Sequence, residues 1–169
     1  MSAVVIKTRV QAENIDALNR KAKYATADLP NGSAVTLAWS ATEGDEVFTG
    51  TVATSGLVFK IGRKEDIHIA SGSLLASENV DAWYLEVTEN TGDVWLVVSP
   101  EVNKDIVGET YKGLDPRNFI NEANKPLDAI KLVAGDIIQV TAPFFATAPV
   151  DGNNTVTLGA TGFVASTEV

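Results

Sequence analysis

The sequence contains no cysteine and only one histidine, His68. The first absence removes disulfide staples, thiolate nucleophiles and cysteine-based zinc sites. The second removes any multi-histidine metal centre and leaves a serine–histidine–aspartate arrangement only His68 to build on. Long apolar runs are missing too. The longest near the start is Ala3-Val4-Val5-Ile6, far short of a signal-peptide core or of the roughly 20 residues that a spanning helix needs. The expectation is therefore a protein made in a cytoplasm, with no membrane partner. Basic residues are scarce, 13 against 22 acidic ones, which gives a net charge of −9. That balance argues against nucleic acid as a partner. No glycine-rich loop ends in Lys-Ser or Lys-Thr, and neither Gly-x-Gly-x-x-Gly nor Gly-x-Ser-x-Gly occurs.

What is present points to strands. Of 169 residues 45% are hydrophobic and 21% charged, enough for a packed core. Val, Ile and Thr together number 46, and β-branched side chains favour strands. Turn chemistry recurs at short intervals, as in Pro30-Asn31-Gly32, Ser55-Gly56, Asn90-Thr91-Gly92-Asp93, Gly135-Asp136 and Asp151-Gly152-Asn153. This spacing predicts an all-β fold, a barrel or a sandwich. Strands are expected at 34–39, 47–53, 57–61, 67–69, 83–88, 94–98, 137–141, 155–158 and 162–165. The run Val94–Val98 has no polar interruption, which suits a central strand with both faces covered. Trp83–Thr88 and Val94–Ser99 read as a hairpin, with Trp83, Leu85, Val87, Leu96 and Val98 in one core. No fixed-period repeat is present.

Two regions depart from the strand pattern. In residues 1–25, Ile15, Leu18 and Ala22 recur at helical spacing, so this segment reads as a short helix or an N-terminal arm ahead of one β domain at 26–169. Within that domain residues 99–130 form a long connection. Asp115-Pro116 has N-cap and first-turn chemistry for a short helix, Phe119, Ile120 and Ala123 would be its buried stripe, and Lys125-Pro126 would stop it.

Candidate chemistry is thin. His68 lies between Ile67 and Ile69, so an exposed or hydrogen-bonded structural role fits it better than general-base work. The carboxylates Glu43, Asp45 and Glu46, and Glu86, Glu89 and Asp93, could in principle form the pair a glycosidase needs, but they fit turn and strand-edge roles. Asp151-Gly152-Asn153-Asn154 offers oxygen ligands without the spacing of a calcium loop, and reads as an ordinary turn. No metal, no cofactor and no catalytic residue is expected. Trp39 and Trp83 share faces with core residues, which leaves Trp95 as the candidate platform for stacking on a sugar. Charge is uneven. Residues 1–25 carry Lys7, Arg9, Arg20, Lys21 and Lys23 against Glu13 and Asp16, a net +3, while the rest of the chain carries −12. Those five cations are the candidate partner-binding residues. The segment is expected to contribute little to folding and much to docking.

Two stretches, Lys21–Leu37 (KAKYATADLPNGSAVTL) and Gly113–Thr141 (GLDPRNFINEANKPLDAIKLVAGDIIQVT), resemble small structural proteins of tailed bacteriophages, most closely head decoration or capsid-stabilising proteins. The resemblance covers about a third of the chain. It implies a non-enzymatic all-β protein on the capsid exterior of a virion, often a homotrimer, with the major capsid protein as its partner. A tail or head–tail component and a carbohydrate-binding β module are the alternatives.

Overall fold

The computed structural model describes residues 2–39, 47–71, 76–98, 117 and 119–168. They form an all-β structure. A seven-stranded sheet runs in the order β1 (Val5–Arg9), β13 (Ile137–Thr141), β9 (Ala82–Asn90), β6 (Leu57–Lys64), β15 (Thr155–Gly159), β16 (Gly162–Ser166) and β14 (Phe145–Thr147). It curves as a half-barrel over a small closed barrel. The small barrel is built from β10 (Trp95–Val97), β12 (Pro126–Lys131), β2 (Asn19–Lys23), β5 (Phe48–Val52) and β4 (Ala34–Trp39). Two ribbons complete the strands, β3 (Leu29–Pro30) with β11 (Ile120–Asn121) and β7 (Ile67–Ser71) with β8 (Ala76–Val80). Helix among the described residues is confined to single 3₁₀ turns such as Gln11–Glu13, Asp16–Leu18 and Ala142–Phe144.

Alternation along the strands sorts the apolar side chains into three cores. On β10, Leu96 faces the main core while Trp95 and Val97 face the barrel interior. One strand thus serves as a wall between two cores, and for this reason Val94–Val98 carries no polar residue. The main core joins Leu96, Val98, Ile130 and Leu132 to Leu57, Phe59, Leu85, Val87, Ile138 and Val140 of the large sheet. The barrel interior holds Ala22, Val35, Trp95, Val97, Leu127 and Ala129. The third core lies on the outer face of the sheet, where Ile67 and Ile69 of the β7–β8 ribbon cover Val4, Ile6 and Ala82. His68 faces away from it, exposed, with Nδ1 3.0 Å from the side-chain oxygen of Asn79.

The first 25 residues are not a detached arm. β1 pairs with β13, from Val5 opposite Val140 to Arg9 opposite Ile137, and β2 pairs with both β12 and β5. The run Val4-Val5-Ile6 shows no alternation because both faces of β1 are covered, Val5 by the main core and Val4 and Ile6 by the third. Val10 and Ala12 are buried as well. Asp136, 2% exposed, fastens this segment to the sheet. One of its carboxylate oxygens accepts the Gln11 N–H at 3.1 Å, and the other accepts the Val133 N–H at 2.9 Å. A buried carboxylate is tolerable where hydrogen bonds saturate it in this way.

Three further expectations are corrected. The strands β9 and β10 do not form a hairpin. Both edges of β9 are taken, by β6 and by β13, so the chain after Asn90 must leave the sheet. The Asn90 side chain stitches that exit, accepting the Val94 N–H at 2.9 Å and donating to the carbonyls of Val94 and Leu132. Trp83, Leu85, Val87, Leu96 and Val98 nevertheless share one core, brought together face to face rather than edge to edge. The short helix of the long connection is not formed where its stripe was expected. Asp115 and Pro116 lie outside the described residues, while Ile120 is 43% exposed in β11, opposite Pro30. Pro126 does not stop a helix but opens β12, a strand position where its missing N–H is harmless. Finally, the two tryptophan assignments exchange places. Trp95 is 8% exposed inside the barrel, and Trp39 is 63% exposed at the end of β4.

Candidate functional site

The cations of the N-terminal segment are placed by the two strands that carry them. On β2, Ala22 points into the barrel, so by alternation Lys21 points outward. It lies directly opposite Asp128 of β12 and forms an ion pair with it. Both side chains of that pair are about half exposed, so the pair adds little stability. On β1 the register shifts between Lys7 and Arg9, at the strand's end. Between the large sheet and the barrel lies a cleft of about 370 Å³ lined by Lys7, Asn19, Arg20, Lys21, Val98, Asp128, Ala129 and Ile130. Three cations face one carboxylate there, in a chain whose net charge is −9. Arg9 and Lys23 do not line it.

Arg20 also reaches the end of the barrel where β5 begins. Its guanidinium lies 5.5 Å from the ring centre of Phe48 and 5.8 Å from that of Trp95, a cation held against two aromatic rings. One terminal nitrogen donates to the carbonyls of Asp16, at 3.2 Å, and Asn19, at 2.9 Å. Beside it Trp39 meets Phe48 edge to face, with centroids 5.1 Å apart and ring planes at 78°. The expectation of a stacking platform at Trp95 fails because that indole fills the barrel. Trp39 was missed because it continues the inward face of Val35 and Leu37. The strand outruns the core by one residue pair, a fact that alternation does not carry.

Of the other candidates, Asp93 and the run Asp151–Asn154 make structural contacts. Glu86 and Glu89 are exposed along β9, and Asp93 pairs with Lys131. Glu43, Asp45 and Glu46 lie outside the described residues. Asp151–Asn154 forms a tight turn. Gly152 has φ +91°, the Asn153 side chain accepts the Val150 N–H at 2.9 Å, and the Asn154 side chain accepts the Glu168 N–H at 2.8 Å. Turn and strand backbone thus use the side-chain oxygens of Asn153 and Asn154. Among the described residues no helix is long and apolar enough to cross a membrane.

No protein-family model, curated protein or solved structure matches this chain.

Proposed function

We propose that this chain is a non-enzymatic structural protein of a tailed-bacteriophage virion. In this reading it sits on the capsid exterior, decorating and stabilising the head, and has the major capsid protein as its partner. The observation that carries the reading at the level of the site is the cleft of Lys7, Arg20 and Lys21. It gathers cations on one side of an otherwise acidic molecule and supports docking on an acidic protein surface. The two-layered β scaffold supports the same reading, since docking needs rigidity rather than a reactive group. Each contact is weak by itself. Association as a homotrimer would multiply it, because the second and third contacts form at high effective concentration.

The test is co-sedimentation of the purified chain with capsid shells assembled from the capsid protein encoded beside it. The double variant Lys7→Glu, Lys21→Glu should bind at least tenfold more weakly, with the loss largest at low salt, while melting like the parent. Lys21 is exposed and Lys7 partly exposed, and exposed charges are screened over about 10 Å at 0.1 M salt. Equal binding by the double variant would remove the cleft from the docking surface. Rings or tubes formed by the chain alone, with no binding to shells, would replace decoration with a tail or head–tail role.

A further inference from the structure

We propose a second binding site, which shares Arg20 with the docking cleft but centres on a different residue, in which Trp39 at the end of β4 stacks on the ring of a sugar. Trp39 is 63% exposed, the most exposed aromatic side chain among the large hydrophobics at the described surface. Its indole is nevertheless held in place. Phe48 lies directly opposite on β5 and meets it edge to face at 5.1 Å. Phe48 is braced in turn by the Arg20 guanidinium at 5.5 Å. A flat apolar face, fixed and open to water, braced by a ring that itself carries a guanidinium, is a prepared surface rather than a loose side chain.

Size and charge choose the occupant. The patch consists of two rings, each able to cover at most about 150–250 Å². A stable protein contact needs about 800 Å² on each side. The patch therefore suits one ring-shaped ligand and not a protein face. A nucleobase is the rival ring. Single-strand binding combines such platforms with a basic groove that follows the phosphates; here the cleft next to Arg20 sets the Asp128 carboxylate among its cations, in a chain of net charge −9, which disfavours a run of phosphates. A pyranose fits both features. Its apolar C–H face lies on the indole, and its hydroxyls meet guanidinium donors. The two hydrogen bonds that Arg20 already makes both use a single terminal nitrogen, which leaves donors on the other two for a ligand.

The experiment is a glycan array followed by fluorescence titration with the hexose or N-acetylhexosamine oligosaccharides that bind. Trp83 and Trp95 are each 8% exposed, so Trp39 is the emitter that a ligand can reach, and its emission should shift to the blue on saturation. Trp39→Ala should weaken binding at least tenfold with the melting transition retained, and Trp39→Phe should restore part of the affinity. Trp39→Ala should still sediment with capsid shells, and Lys7→Glu, Lys21→Glu should still bind sugar, so the two sites fail separately. Absence of saccharide binding, binding unchanged in Trp39→Ala, or Trp39-dependent binding of oligo(dT) without binding of sugars would each overturn the proposal.

Discussion

Deleting residues 1–20 should abolish folding. Composition favours the opposite outcome, since the segment is polar and cationic beside an acidic β domain. The structure reverses it. The deletion removes β1 from the edge of the large sheet and the first two residues of β2 from the barrel. It also takes away Val4, Val5, Ile6 and Val10, each at most 4% exposed. At about 1.5–3 kcal/mol for each buried aliphatic side chain, these four alone represent roughly 6–12 kcal/mol, an upper estimate because the unfolded chain is partly collapsed. A whole domain is stable by only about 5–15 kcal/mol. The loss is compounded at Asp136, whose carboxylate would keep its bond to Val133 and lose the one to Gln11. Far-ultraviolet circular dichroism and a thermal melt give the answer. The truncated chain should lack a cooperative transition and aggregate. A truncated chain that melts cooperatively within a few degrees of the parent would refute the reasoning and restore the detached arm.

Other outcomes follow from single sites. Leu85→Ala, at a fully buried position of the main core, should lose about 2–5 kcal/mol in a denaturant titration, and an unchanged midpoint would remove Leu85 from that core. Gly56 has φ +94°, and a Cβ placed there would lie 2.4 Å from the Gly92 Cα, whereas Gly152, at φ +91°, has nothing within 4 Å. Each alanine should cost about 1–3 kcal/mol for its backbone angle, and Gly56→Ala should cost clearly more than Gly152→Ala because two backbones collide; equal losses would contradict the close approach. A hydrogen bond from Lys64 holds the Asp81 carboxyl below its ordinary value. A lowered folded-state value means that its contribution is present above about pH 4, the ordinary carboxylate value, and is lost as pH falls through the lowered one. Because the pair is exposed the effect is small, and Asp81→Asn should slightly flatten the acid side of a plot of melting temperature against pH, leaving the neutral side unmoved.

The strand content of this protein is written in its local pattern. β4 and β13 occupy the spans 34–39 and 137–141 that alternation and flanking turns predict, and the set Trp83, Leu85, Val87, Leu96 and Val98 is buried together as its periodicity requires. Alternation reports which face of a strand is apolar, and that is a property of a few neighbouring residues. It does not report which edge pairs with which. The hairpin of β9 and β10 failed for that reason, because the partners of β9 are supplied by residues 57–64 and 137–141. Nor does it show a short strand covered on both sides, and so Val4-Val5-Ile6 looked like part of an arm.

The site depended still more on long-range placement. The cations at Lys7, Arg20 and Lys21 stand out by charge alone, but the cleft that gathers them exists only because β2 lies against β12, more than a hundred residues away, with Lys21 opposite Asp128. Alternation put Trp39 on the inward face of its strand, while the uninterrupted apolar run around Trp95 marked neither face as the inner one. Their exposures of 63% and 8% differ because one sits where the barrel ends and the other where it is filled. Residue type and spacing determined that there would be strands and which side chains seek a core. Closure of the barrel, which joins strands distant in the chain, decided which aromatic ring is covered and which is left exposed.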